Sequence, residues 1–420
     1  MSRPRPADAW TVQDAERWLL GLELFGMRFG LDRMRRLMTA LGNPHERFRA
    51  VHVVGTNGKS STARMTAAIL ARHGVRTGTY LSPHLVSFTE RILIDGADLD
   101  DDAFARACAR AKHAADLVDR TGSEDDRVTQ FEALTAAAFS ELAEQDVEVA
   151  VIEAGLGGRF DATNVLTAEV CVLTNVGLEH TRWLGPTIAH IAREKLAVVD
   201  RGATLVVGAQ LDPAAEVEAE ATARRQGARL IHATSDTGMP LLAQGGFQRG
   251  NFATARAAAE ALIGPLDERA VREAAASTLV PGRFQVVAER PAVVLDGAHN
   301  AGGMQALAET LPAWLDGRPL LAVVSVLDDK DAAAMLAALL PLCDGVVFTA
   351  NANPRALSPA TLASLAGQLG AADAHVERDP RRAVELAKSL AGEDGVVLAT
   401  GSIYLIADLL RPPGRKGATL

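Results

Sequence analysis

The sequence predicts an α/β fold in two domains, each built on a largely parallel sheet. Three observations carry this. The chain has 420 residues, too many for one ordinary hydrophobic core. Short Val/Ile/Leu runs alternate with longer Ala- and Arg-rich stretches of helical periodicity. Between Val51 and Gly74, "VHVVGTNGKSSTARMTAAILARHG" reads as an apolar strand, a glycine-rich turn and a helix, the start of a βαβ unit.

In chain order, strands are predicted at 51–54, 76–81, 147–153, 169–175, 203–208, 292–296, 319–326, 345–350 and 395–400. Helices are predicted at 60–73, 101–119, 130–144, 251–263, 303–314, 331–340 and 381–391. A further helical stretch ends near Ser277, followed by Pro281 and Gly282 and a new strand near Ala292. That break places a domain seam near 284–291, giving a larger first domain, 1–287, and a smaller second one, 288–420.

Composition narrows the function. A content of 48% hydrophobic and 23% charged residues is that of a soluble globular protein. The net charge of −9 argues against a nucleic-acid partner, so a bound anion needs a local positive site. Cys108, Cys171 and Cys343 are far apart in sequence and odd in number, which reads as buried thiols in a reducing compartment. No signal region or membrane-spanning run is present in the sequence, so a cytoplasmic location is expected. Arginine is the default cation. The only lysines are Lys59, Lys112, Lys195, Lys330, Lys388 and Lys416, so a lysine marks a place where a planar guanidinium cannot serve.

The turn "GTNGKS" is a compact phosphate loop. Its glycines let the amides of Gly55, Thr56, Asn57 and Gly58 converge on phosphate oxygens, and the helix N-terminus adds its dipole. Lys59 is placed to reach terminal phosphates, and Ser60 or Ser61 offers a hydroxyl to Mg²⁺. Glu153 ends an apolar strand and is the candidate metal carboxylate. His180, in the loop after the next strand, is a second candidate ligand. Lys195 follows in "IAREKLAVVD", either as a surface ion pair of the Arg193–Glu194–Lys195 run or as a functional amine. In the second domain, "VVLDGAHNAGG" sets Asp296 and His299 just past a strand, and "SVLDDKD" repeats the pattern with Asp329, Lys330 and Asp331. Polar loops on two domains suggest a cleft that closes over nucleotide and substrate.

The ordered set "GTNGKSS", "SPHLVSFTERI", "TQFEALTAAAF", "EAGLGGRFDATN", "LEHTRWLGPTIAHIAREK", "PGRF", "DGAHN", "DDKD" and "ATGSIYLIADL" resembles the folylpolyglutamate synthase/dihydrofolate synthase family of the Mur ligase superfamily. The resemblance begins at "FGMRFGLDRMRRLMTALGNP" and covers nearly the whole chain. It implies a P-loop-type ATPase domain followed by a Rossmann-like glutamate ligase domain. It also implies a reaction. A substrate carboxylate attacks the γ-phosphate of MgATP, and the amine of L-glutamate displaces phosphate from the resulting acyl phosphate.

By the same resemblance, Lys59 contacts the terminal phosphates, Ser61 and Glu153 bind Mg²⁺, and His180 binds a second Mg²⁺. Lys195 stands where the family carries a carbamylated lysine supporting that second metal. Asn251, Arg283, Asp296 and His299 match nucleotide-contacting positions. The stretch Ser82–Arg91, with Ser82, Pro83, His84, Phe88 and Arg91, matches a pterin-side loop. Expected ligands are ATP, Mg²⁺, a pterin or folate and L-glutamate, handled by a monomer without nucleic-acid or membrane partners. The sequence departs from the family pattern at Ser60 for Gly, Glu179 for Asp, Leu196-Ala197 for Ala-Gly, Phe247 for His and Ala301 for Pro. The alternatives are a Mur-type ligase acting on a nucleotide-sugar peptide, and a P-loop ATPase switch driving a protein partner.

Overall fold

The structure is a computed structural model and describes residues 10–23, 30–122, 126–371 and 373–412. Residues 25–29, which begin the family-like stretch at Phe25, and Lys416 lie outside the described residues. By compactness the chain divides into two units, 1–239 with 250–276, and 240–249 with 277–420.

The first unit holds β1 (Arg49–Val54), β2 (Thr77–Tyr80), β3 (Ile92–Ile94), β4 (Ala97–Asp98), β5 (Val149–Glu153), β6 (Val170–Leu173), β7 (Thr204–Val207) and β8 (Arg229–His232). They form one sheet in the order β4-β3-β2-β5-β1-β6-β7-β8. Pairing is parallel from β2 through β8 and antiparallel only at β2/β3 and β3/β4. β2, β5 and β6 are buried at every residue and β1 at every residue after Arg49, as strands covered on both faces must be.

The second unit holds β9 (Gln285–Glu289), β10 (Ala292–Leu295), β11 (Leu320–Val324), β12 (Gly345–Phe348), β13 (Ala374–Val376) and β14 (Val396–Thr400). Their order is β13-β12-β11-β14-β10-β9, with β9/β10 the antiparallel pair. β9 falls across the seam expected near 284–291, and its pairing with β10 ties it to the second sheet. Phe284, Val294, Met304, Leu311, Val324, Met335, Phe348 and Leu398 are among the residues of that unit's core.

Every strand expected from the sequence is present. The unanticipated ones are short: β3 is largely buried, β4 is exposed throughout, and β8, β9 and β13 carry exposed residues. The helix expected at 101–119 is found with those bounds, capped by Asp100, whose carboxylate accepts from Ala103 N at 2.7 Å. The helix Gln130–Glu144 starts from a capping box of Thr129 and Glu132. The helix Val12–Leu20, not anticipated, starts from the same device with Thr11 and Asp14.

Candidate functional site: a phosphate-loop edge and a second sheet edge

β1 lies between β5 and β6, with Val53 paired to Glu153 and Val54 to Leu173. The chain leaving β1 therefore emerges between Glu153 on one side and Thr174 and Asn175 on the other, at the carboxyl edge where parallel sheets bind ligands.

That chain is the glycine-rich loop, and the two glycines are required by space. A Cβ at Gly55 would lie 1.9 Å from Thr174 Oγ1, and one at Gly58 2.4 Å from Asn251 Oδ1. Gly58 also has φ +81°, which L side chains rarely adopt, and it precedes the helix Lys59–Arg72. The loop is pinned from the β6 side. Thr174 Oγ1 donates to Asn57 O at 2.6 Å, Asn57 N donates to Asn175 Oδ1 at 2.8 Å, and Thr56 N donates to Asn175 O at 3.0 Å. Lys59 Nζ donates to Thr56 O at 3.1 Å, folding the amine back over the loop.

Glu153 is buried with both oxygens engaged. Ser60 Oγ donates to Oε1 at 2.9 Å, and Ser82 N donates to Oε2 at 3.1 Å. The hydroxyl set against Glu153 is thus that of Ser60, whereas Ser61, the serine the family resemblance favoured, is buried in the helix at 3% exposure. An all-oxygen pair of a carboxylate and a serine hydroxyl beside a phosphate loop is the donor set Mg²⁺ takes when phosphates complete its shell. Among the described residues, no group of three or more His, Cys, Asp or Glu is arranged to hold a metal ion.

Lys195 is not part of a surface ion pair. It is buried in the helix Ile188–Leu196, and its Nζ donates to Gly55 O at 2.7 Å. Its pKa is lowered to about 7, first by burial and then by the charge of Lys59, against the pull of Glu179 and Asp161. His180 is exposed at φ +51°, with its Nε2 3.8 Å from Glu179.

Residues within familiar motifs, but not singled out by the sequence, brace this edge. Asp161 Oδ2 accepts from Leu156 N at 2.7 Å, and Oδ1 accepts from Thr163 N at 3.0 Å and Thr163 Oγ1 at 2.5 Å. The Thr163 hydroxyl hydrogen is thereby spent, so the contact of 2.8 Å between His52 Nε2 and Thr163 Oγ1 has the imidazole donating. Burial lowers the His52 pKa to about 4, so the ring is neutral. The chain His52, Thr163, Asp161 thus fixes the turn that follows Glu153. The sequence signal was His52, a polar residue inside an otherwise apolar strand.

In the segment Ser82–Arg91, the Ser82 amide reaches Glu153. Glu90 gathers the amides of Leu85, Val86 and Ser87, each at 2.8 Å. Arg91 Nε donates to His84 Nδ1 at 3.0 Å and lies over the Phe88 ring. His84, Phe88 and Arg91 are buried, Ser82 is half-buried and Pro83 is exposed.

In the second unit, Asp296 follows β10 and is buried. Phe284 N donates to its Oδ2 and Ala298 N to its Oδ1, each at 2.8 Å. Burial raises its pKa, and Arg283 pulls the other way. A Cβ at Gly297 would lie 2.0 Å from an Arg283 guanidinium nitrogen, so glycine here leaves room for that side chain. His299 Nδ1 lies 2.9 Å from Gly297 O. Lys330 lies 3.5 Å from Asp329. Asn251 belongs to the first unit, beside Gly58, and Arg283, Asp296 and His299 to the second.

A phosphate loop on a parallel sheet, followed by a second parallel α/β unit, defines the Mur ligase class. Residues 53–232 match the Mur ligase middle domain, and residues 282–403 match the Mur ligase glutamate ligase domain. A dihydrofolate synthase/folylpolyglutamate synthase of Mycobacterium tuberculosis is 37% identical over 402 residues, spanning 86% of this chain and 82% of the relative. The Bacillus subtilis protein of the same name is 33% identical, spanning 94% and 98%. The Mycobacterium tuberculosis folylpolyglutamate synthase complexed with ADP superposes with a TM-score of 0.89 at 34% identity, covering 95% of this chain and 97% of that one. The Yersinia pestis bifunctional enzyme complexed with AMPPNP and a Mn ion gives 0.84 at 30% identity, covering 97% and 99%. The chain belongs to the folylpolyglutamate synthase/dihydrofolate synthase family.

Proposed function

We propose that this protein is an ATP-dependent amide ligase that adds L-glutamate to dihydropteroate, to folates, or to both, through an acyl phosphate. The observation that carries the reading is the meeting of Ser60 Oγ and Ser82 N on the two oxygens of Glu153, at the foot of the loop that bears Lys59.

In this reading the amides of Gly55–Gly58 and the helix N-terminus hold the phosphates, and Lys59 neutralises the terminal ones. Ser60 or Ser61, with Glu153, would hold one Mg²⁺, and His180 with a modified Lys195 would hold a second. The metal would supply charge neutralisation on the phosphoryl group. Asn251, Arg283, Asp296 and His299 serve the nucleotide. Asp296 acts through the turn it orders, since both its oxygens accept backbone amides. Ser82, Pro83, His84, Phe88 and Arg91 form the pterin side, with the buried members shaping the loop.

An oxygen of the acceptor carboxylate attacks the γ-phosphorus, and the bond to the departing ADP oxygen breaks. The glutamate nitrogen then attacks the acyl carbon, phosphate leaves with the bonding pair, and the amine gives up a proton. Positioning and charge neutralisation carry the rate.

Lys195 suits carbamylation. An amine with its pKa near 7 has a free lone pair at neutral pH, so its nitrogen can bond the carbon of CO₂ and release a proton. A guanidinium at this position would stay protonated and could not. The enzyme acts as a monomer in the cytoplasm. The test is glutamate incorporation with dihydropteroate and with tetrahydrofolate, assayed separately. ADP should appear only when ATP, acceptor and glutamate are all present. Equal ATP turnover without acceptor or glutamate would overturn the ligase reading.

A further inference from the structure

Thr174 and Asn175 follow β6 and run beside the phosphate loop, with Thr174 N donating to Val54 O at 2.9 Å. Their place is fixed on both flanks. A Cβ at Gly55 would lie 1.9 Å from Thr174 Oγ1, and one at Gly208, just past β7, would lie 2.2 Å from Thr174 O. Glycine on each side lets the segment lie this close to its neighbours. Thr174 is buried and Asn175 is half-buried.

From there the two residues hold Asn57 by both of its backbone polar groups. Asn175 Oδ1 accepts from Asn57 N at 2.8 Å, and Thr174 Oγ1 donates to Asn57 O at 2.6 Å. The Asn175 carbonyl also accepts from Thr56 N, at 3.0 Å. The amides of Thr56 and Asn57 are thus spent within the protein. Two other ties on the loop are of a different kind. Gly55 O and Thr56 O are held by the amines of Lys195 and Lys59, at 2.7 and 3.1 Å. The ligase reading sends the Lys59 amine to the terminal phosphates, which releases Thr56 O. Thr174 and Asn175 are neutral and take no part in the chemistry, so their hold persists and adds no negative charge beside a triphosphate.

We infer that Thr174 and Asn175 are positioning residues. They clamp Asn57 so that the chain pivots at Gly58, φ +81°, and enters the helix Lys59–Arg72 with its first amides turned toward phosphate. The inference rests on the ligase reading, which places the nucleotide at this loop, and it narrows that reading. With Thr56 N and Asn57 N engaged, phosphate falls to the amides at the helix start. There Lys59, Ser60 and Ser61 precede the first helical bond, Thr62 N to Gly58 O at 2.9 Å. A loop already held in its binding shape need not be ordered by the ligand, and the affinity keeps what ordering would have cost.

The test measures ADP binding by calorimetry, with steady-state constants alongside, for wild type, Asn175→Ala, Thr174→Val and Thr174→Ser. Asn175→Ala and Thr174→Val weaken ADP binding about tenfold and raise the KM for ATP to match, while the KM values for acceptor and glutamate hold. Thr174→Ser keeps the hydroxyl and stays within about twofold of wild type. Unchanged ADP binding in Asn175→Ala and Thr174→Val overturns the proposal. So does an equal loss in Thr174→Ser and Thr174→Val, or an equal rise of all three KM values. Thermal melting confirms that the variants fold; where Asn175→Ala does not, the Thr174 pair decides. Failure of the ligase reading shows separately, as a wild type that binds ADP and incorporates no glutamate.

Discussion

The carboxyl ends of the two sheets carry similar inventories and use them differently. Past β10, Asp296 spends one oxygen on Phe284 N and the other on Ala298 N, and Arg283 fills the space that Gly297 leaves. Past β1 and β5, Glu153 is met by a serine hydroxyl that a metal could share, Lys59 donates to the Thr56 carbonyl, and Lys195 is a buried amine whose pKa is lowered to about 7. The first arrangement is a scaffold around a buried carboxylate. The second keeps its charged groups on weakly held partners that a ligand can take over. A carboxylate at a strand end is therefore not evidence of chemistry by itself; what its oxygens already accept decides.

The largest break in this contrast should come from Lys59→Ala, which lowers kcat/KM by about a thousandfold or more with little change in thermal midpoint. Glu153→Gln should follow, at about a hundredfold in kcat, partly recovered by raised Mg²⁺. Lys195→Arg keeps a positive charge but cannot form a stable carbamate. Its activity should collapse, and the carbamate carbon seen by NMR in ¹³C-bicarbonate with wild type should be absent. Wild-type activity in that variant would remove the carbamate from the account.

Asp296→Asn should act on the scaffold. One of two amides loses its acceptor, costing about 1–3 kcal/mol in denaturant unfolding. An Asp296→Asn protein of unchanged stability would break the contrast from the other side.

The smallest effect concerns pH. His52 ordinarily titrates at 6.5 and is held at about 4 in the fold, so the unfolded chain binds the proton more tightly. The stability its neutral ring contributes is full above pH 6.5 and is lost as pH falls toward 4, on the order of 3 kcal/mol in all. His52→Gln keeps a donor for Thr163 and should flatten that part of the urea profile.

The strands were legible because central parallel strands are continuous apolar runs. β4, β8 and β13 were not, because edge strands carry exposed residues and little pattern. The phosphate loop was legible because Gly55, Gly58 and Lys59 are adjacent and each has a physical job. Which serine meets Glu153 was not, because a shift of one residue on a helix turns a side chain from the site into the core, and only packing reveals the turn. Nor was the brace of His52, Thr163 and Asp161, whose members lie far apart in sequence and meet through β1 and the loop after β5. Lys195 was marked by composition, a lysine in an arginine-using chain; its burial against Gly55 supplies the reason.

The central claim is that the loop delivers a phosphoryl group to a carboxylate. The direct measurement uses acceptor labelled with ¹⁸O in its carboxylate, turned over with ATP and L-glutamate, and follows the released phosphate by mass spectrometry. Attack of the carboxylate on the γ-phosphorus predicts phosphate that carries one labelled oxygen from the acceptor. Unlabelled phosphate, with amide product formed at the same rate, would contradict it.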